Sequence, residues 1–537
     1  MSNRAAKAMG WSWPALLAAA ILLPLAVYFF DFVRAPRQTL ALMFAPAGEA
    51  ARLGFLLGRT TSLAALAATI SLMAALIVFA AAEPALAKRK LWPFAFMLPL
   101  LVPGHFVAVA WIQWLGFAGT LTHWLGAGAW LPYALYSLPG VAAVMGLKLY
   151  PLALGFVYIG WRSAGTSAVE AASVLMPPAA LWRRFVLGWM RPWLAAAWLI
   201  VFLTALLDYS IPLLMRMHVF SVEIMSAFNV YYKPELAMAM ALPLMAMSLA
   251  GAAALGLILS RVNWPVLSRR PCRLPLLQGP WRCAFSIGAG AVAAGSFILP
   301  TLFLLKMSND LGAFAHVIAS ARDQIATSLA WSAVATAAVI AMAAGLATRG
   351  LWNGSKLRTL AASLMLLLYA LPGSVVAMAF INFYNRPALG RLYDCGAMLP
   401  LGLATVNLPI AWIIFHVRLR EIPATLIEVN AIAPIAPARR FWQLVAPTLA
   451  RPALLAAAVT FILAMNEVQA AMLLVAPGQE TMSVRAMTLL HYAPDRLVAA
   501  FCLTAWAVAL VPVAALAALG KAAGHLRGKL VPHHELD

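Results

Sequence analysis

Pro103-Gly104-His105-Phe106-Val107-Ala108-Val109-Ala110-Trp111-Ile112 returns later in the chain as Pro372-Gly373-Ser374-Val375-Val376-Ala377-Met378-Ala379-Phe380-Ile381, with six of ten positions identical. Other pairs follow in the same order. Thr61-Ser62-Leu63-Ala64 matches Thr327-Ser328-Leu329-Ala330, Arg183-Arg184-Phe185 matches Arg439-Arg440-Phe441, and Arg191-Pro192 matches Arg451-Pro452. An apolar composition alone would match Leu and Ala. It would not match Pro-Gly or Arg-Arg-Phe in order. The chain therefore reads as two similar halves. Both repeated stretches are apolar and carry Pro-Gly inside. Proline removes a backbone donor and kinks a helix. In a membrane such breaks are tolerated where they line a cavity or pack against protein. Pro103, Gly104, Pro372 and Gly373 are thus candidate pathway residues, with an ordinary kinked helix as the alternative. His105 reads as structural.

The surrounding composition places these stretches in lipid. Of 537 residues, 64% are hydrophobic and 10% are Asp, Glu, Lys or Arg, against about 25% in soluble domains. Such a chain cannot cover its surface with polar groups in water, whereas lipid-facing side chains need no such cover. The net charge is +21. Basic residues gather in the cytoplasmic loops of membrane proteins and meet anionic lipid, so nucleic acid is not expected as a partner. The four cysteines, Cys272, Cys283, Cys395 and Cys502, have neither zinc-site nor disulfide-framework spacing. No metal ligand set is read.

The expected fold class is all-α: a polytopic membrane protein of about twelve transmembrane helices. Spans are expected near 13–33, 61–83, 92–118, 136–160, 193–215 and 236–260, then near 284–306, 325–347, 359–384, 396–417, 453–475 and 496–520. The first reads as an uncleaved helix rather than a signal peptide, because it lacks a small-residue cleavage site. The expected domains are a first transmembrane half at 1–260, a basic Pro-rich linker at 261–283, a second half at 284–520 and a tail at 521–537. Six spans per half give both halves one orientation and a pseudo-twofold axis along the membrane normal.

Basic residues then set the sides. Lys88, Arg89 and Lys90, the Arg162–Arg191 loop, the linker arginines, the loop at Arg349–Arg358 and the tail all fall together if both termini are cytoplasmic. Residues 34–60 carry four arginines yet fall outside, and are expected to hold an interfacial helix. Lys148 is expected to snorkel to the cytoplasmic interface.

Two loops between the fourth and fifth spans of each half add chemistry. The first holds Val169-Glu170-Ala171-Ala172-Ser173 and Leu181-Trp182-Arg183-Arg184-Phe185. The second holds Ile427-Glu428-Val429-Asn430-Ala431 and Ala438-Arg439-Arg440-Phe441-Trp442, then Ala446-Pro447. Each reads as a short helix, a turn and a second amphipathic stretch, a shape suited to a groove on a soluble partner. The alternative reading of the arginines is contact with lipid headgroups. These loops resemble the E-A-A loops of binding-protein-dependent ABC importer permeases, whose pattern is E-A-A-x3-G-x9-I-x-L-P. Glu170-Ala171-Ala172 matches its start, Glu428 its acid and Pro447 its closing proline. Met176 and Pro434 stand where the glycine belongs, and the first loop is about four residues shorter between Phe185 and Arg191. The stretch from Phe461 through Glu467 and Pro477-Gly478 to His491-Tyr492 resembles the fused permeases of ferric-iron importers, and thiamine and phosphonate importers have related permeases.

The resemblance implies a type I permease in the bacterial inner membrane, with no cofactor of its own. Two copies of an ATP-binding subunit would use the ATP, and a periplasmic binding protein would deliver substrate. Glu170, Ala171, Ala172, Arg183, Arg184, Glu428, Arg439 and Arg440 would form the coupling surface. The substrate would be ferric iron, with thiamine, phosphonate and polyamine as alternatives.

Asp208 and Glu467 stand six residues after Phe202 and Phe461 in the fifth span of each half. An acid at the bilayer centre costs about 2.5–3.5 kcal/mol, so both are pathway candidates. The alternative is a structural hydrogen-bonding role. A twelve-helix secondary transporter is the rival from another class, but it gives no reason for duplicated Glu-containing loops. The chain has no G-x4-G-K-[ST], H-E-x-x-H or G-x-S-x-G, so no ATPase or hydrolase site is expected in it.

Overall fold

The computed structural model describes residues 17–31, 47–86, 96–126, 130–163, 166–177, 180–262, 280–308, 311–352, 355–420, 422, 425, 439 and 441–530. All regular secondary structure among them is helical. That is the outcome expected of long apolar segments in lipid, where a helix satisfies its own backbone groups.

Nine helices among the described residues are long and apolar enough to cross a bilayer: Arg52–Ala82, Leu138–Ser163, Leu187–Leu207, Pro234–Arg261, Arg282–Met307, Arg322–Arg349, Met398–Leu419, Ala446–Asn466 and Asp495–Leu516. The pair Lys356–Tyr369 and Gly373–Tyr384, bent by 98° at Pro372, makes ten if it is one broken span. The remaining expected spans take other forms. Residues 17–31 form the shorter apolar helix Leu17–Asp31. The segment expected near 92–118 is divided into Leu98–Leu101 and Gly104–Leu115.

Residues 47–60 depart from the expected interfacial helix. They open a single 40-residue helix, Ala47–Leu86. At about 1.5 Å per residue such a helix is roughly twice as long as the hydrocarbon is thick, so part of it projects beyond the apolar layer. Its Ala, Leu, Arg and Glu content favours continuation, and its proline lies only near the far end.

The described contacts group into two compact units, drawn differently from the sequence halves. One comprises Pro36–Asn309; the other comprises Met1–Ala35 with Asp310–Asp537. Each first helix therefore packs with the later helices of the opposite half. In the first unit the Phe303 ring stacks on Trp114 at 4.7 Å, and a Cβ on Gly288 would lie 3.0 Å from the Ile77 side chain. In the other unit, the Tyr384 hydroxyl donates to the Ala20 carbonyl at 2.9 Å, and Arg386 pairs with Asp31 at 3.6 Å.

Within the first unit, Ala47–Leu86 packs on Leu138–Ser163, and both pack on Leu187–Leu207. The second unit repeats the arrangement with Arg322–Trp352, Met398–Leu419 and Ala446–Asn466. Small residues allow the close approach. A Cβ on Gly146 would lie 2.9 Å from the Ala67 carbonyl oxygen, so the helices carrying them approach backbone to backbone.

Candidate functional site

Each unit brings two helix breaks together. In the first, Val102 is extended (φ −78°, ψ 130°) because the ring of Pro103 excludes the helical conformation from the residue before it. Pro103 (φ −56°, ψ 142°) then caps the helix Gly104–Leu115, its carbonyl accepting from Phe106 N–H at 3.1 Å. In the second unit Pro372 (φ −59°, ψ 142°) caps Gly373–Tyr384, and its carbonyl accepts from Val375 N–H at 3.0 Å. The repeated Pro-Gly pairs thus produce the same local structure twice.

The acids mark the opposing breaks. Leu187–Leu207 ends at Asp208 (φ −68°, ψ 129°), and Ala446–Asn466 ends at Glu467 (φ −70°, ψ 120°). Asp208 Oδ1 accepts from both the backbone N–H and the hydroxyl of Ser210, each at 2.9 Å. Glu467 Oε1 accepts from Ala470 N–H at 3.0 Å. The freed carbonyls are also satisfied: Ser221 Oγ donates to the Asp208 carbonyl at 2.8 Å, and Ser483 Oγ to the Glu467 carbonyl at 2.9 Å. Both carboxylates are half-buried. Each spends an oxygen on backbone that its helix has released, which offsets the cost of unpaired polar groups at this depth.

A third contact repeats. The short helices that follow begin at Phe220 and Met482. Their N–H groups donate to Thr60 Oγ1 at 3.1 Å and Ser328 Oγ at 2.7 Å. Those hydroxyls belong to the neighbouring long helices Ala47–Leu86 and Arg322–Trp352.

Glycine lets the paired breaks meet. A Cβ on Gly104 would lie 2.6 Å from Ser210 Oγ, 3.2 Å from Lys148 Nζ and 3.3 Å from Ile211. A Cβ on Gly373 would lie 3.1 Å from Glu467 Oε1 and 3.4 Å from Ala470 N. The sequence-predicted residues Pro103, Gly104 and Asp208 therefore share one site, and Pro372, Gly373 and Glu467 share another. The Lys148 ammonium sits at the first break, a placement its position in the middle of a span did not suggest. His105 lies beside it with both ring nitrogens buried and without a hydrogen-bond partner among the described residues. At the second break Gln469 Nε2 donates to Ser374 Oγ at 3.1 Å. No group of three or more His, Cys, Asp or Glu among the described residues is arranged to hold a metal ion.

The loop between Ser163 and Leu187 contains a separate helix, Thr166–Leu175, followed by the π-helical turn Leu181–Val186. Ala171 is exposed and Ala172 is buried. Beyond them Val174 (85%), Leu175 (81%) and Met176 (37%) form an exposed apolar tip. The sequence analysis did not single out these three. The helical position of Val174 and Leu175, two and three residues past the Glu-Ala-Ala run, was the available signal. Arg184 and Arg439 are exposed. The side chains of Glu170 and Arg183, and residues Glu428 and Arg440 entirely, lie outside the described residues, as does most of the linker at 263–279. No family model, no curated protein and no solved structure matches the chain.

Proposed function

We propose that the chain is the transmembrane permease of an ATP-binding-cassette importer, with two six-helix halves related by a pseudo-twofold axis along the membrane normal. The observation that carries the reading is the helix Thr166–Leu175. It bears Glu170-Ala171-Ala172, follows Leu138–Ser163 in the chain as a separate helix, and leads into an exposed apolar tip. An apolar knob flanked by arginines fits a groove on a soluble partner. That partner is an ATP-binding subunit, present in two copies on the cytoplasmic side. The paired helix breaks support the same reading, since discontinuous helices recur where transporters form substrate pathways. Asp208 and Glu467 hold those breaks in shape, and the pathway runs past them.

A periplasmic binding protein delivers the substrate. The resemblance favours ferric iron, with thiamine, phosphonate and polyamine as the alternatives that a transport assay separates. Both termini are cytoplasmic, and the membrane is the bacterial inner membrane.

The test is purification of the tagged chain from its native membrane. The expected result is co-purification of a P-loop ATPase, and substrate uptake into proteoliposomes that requires ATP. Uptake driven by an ion gradient with no ATPase present would favour a secondary transporter instead.

A further inference from the structure

The segment between Gly104–Leu115 and Leu138–Ser163 leaves four large rings uncovered: Phe117 (62%), Trp124 (81%), Trp130 (70%) and Tyr133 (71%). Trp124 belongs to the short helix Thr120–Leu125. Trp130 caps the short helix Leu131–Leu135, which carries Tyr133. Both short helices pack on Gly104–Leu115. The Phe117 ring meets Tyr133 edge-on at 5.4 Å and stacks on Tyr136 at 5.5 Å. The segment is thus packed in place while most of its ring surface stays open.

Charge is missing from its sequence. From residue 91 to residue 147 the chain has no Asp, Glu, Lys or Arg. The register of the Pro-Gly repeat matches 116–127 with 385–396. There the second half has Arg386, Arg391 and Asp394, all exposed.

We propose that the segment from Phe117 to Tyr133 is seated in the membrane interface, at the boundary between lipid headgroups and acyl chains. Its depth follows from Leu138–Ser163. At about 1.5 Å per residue that helix is long enough to cross the hydrocarbon, so its two ends reach opposite faces. The rings stand just before its first turn, at a face and not at mid-depth. Trp and Tyr suit this layer, because the ring enters the acyl region while its N–H or O–H stays among the headgroups. Charged side chains resist entry to the apolar layer, and this segment has none to withdraw. A soluble partner fits less well. Surfaces that dock such partners surround an apolar centre with a polar, solvated rim, and open rings facing water are an association hazard. The charged loop at 385–396 stays in water, so the two repeats differ in how they meet the membrane surface. The inference depends neither on which face is cytoplasmic nor on what the chain transports.

The test uses the full chain in lipid nanodiscs, which leave both faces open to solutes. Two quenchers are compared: phosphatidylcholine brominated near the top of its acyl chains, and iodide in the water. The difference in emission between the wild type and Trp124→Phe with Trp130→Phe isolates the two indoles, and the single variants repeat the measurement one indole at a time. That difference signal is expected to be blue-shifted, quenched by the brominated lipid and insensitive to iodide. Arg391→Trp adds an indole at the matching loop of the second half. Its added emission is expected to be red-shifted and quenched by iodide. A red-shifted, iodide-quenched signal from Trp124 and Trp130 would overturn the proposal and favour a surface open to a soluble partner. A signal insensitive to both quenchers would overturn it too, as would equal quenching of the Arg391→Trp indole by the brominated lipid.

Discussion

At the first break Gly104 faces Ser210 and the Lys148 ammonium; at the second, Gly373 faces Glu467 and the backbone of Ala470. The backbone plan is common to both. A proline-capped helix start meets an acid-capped helix end, a serine seals the freed carbonyl, and a hydroxyl from the long neighbouring helix receives the next N–H. The charges differ. A lysine and a buried histidine stand at the first, while a glutamine–serine hydrogen bond stands at the second. The same divergence recurs further along. His218 Nδ1 lies 3.0 Å from Glu223, which also pairs with Arg52 at 2.7 Å, and the matching positions of the second half reverse the sign as Glu480 and Arg485, 3.7 Å apart. Backbone satisfaction is an unconditional demand in lipid, so the scaffold repeats. Side-chain charge around it is free to differ between the two repeats.

The comparison can be broken first at the glycines. Gly104→Val is expected to cost about 3 kcal/mol, since even a methyl group would overlap the Ser210 hydroxyl and a branched side chain adds bulk. Gly373→Ala meets a flexible carboxylate end and is expected to cost below about 1 kcal/mol. Thermal unfolding in detergent measures both, and equal losses would mean that the two breaks are packed alike.

The capping acids come next. Asp208→Ala and Glu467→Ala each leave backbone donors unpaired, at about 2 kcal/mol. Asp208→Asn keeps an acceptor oxygen for Ser210 and should lose less than Asp208→Ala. A loss as large for the amide would show that charge, not capping, sets the stability contribution. The serines give the smallest effect. Ser221→Ala and Ser483→Ala should each cost about 1 kcal/mol, and by similar amounts, because both donate to the carbonyl of the capping acid at nearly the same distance.

Much of this arrangement was legible in the residues. Pro-Gly and the acids were identifiable because they are rare within apolar runs, and the repeat set them in register. Their meeting was not legible, because Gly104 and Asp208 are joined only by packing across some hundred residues. The exchange of first helices was equally hidden: Leu17–Asp31 and Arg282–Met307 are apolar like every other span, and nothing in such a pattern names a neighbour. The neighbours of Lys148 were hidden for a related reason. A long side chain in mid-span has two ways to keep its charge stable, an interface or a polar break, and spacing alone does not choose between them. The helix at 47–60 was misread because its arginines suggested an interface, although helix propensity carries it straight into the span.

The most direct test of the permease reading lies in the exposed tip of Thr166–Leu175. Leu175→Asp changes a residue that is 81% exposed, so stability should move by no more than about 0.5 kcal/mol. With the ATP-binding subunit present, substrate-stimulated ATP hydrolysis should be lost and co-purification of that subunit weakened. An assembled complex that hydrolyses ATP and transports like the wild type, with Leu175→Asp in place, would contradict the assignment of this helix as the coupling element.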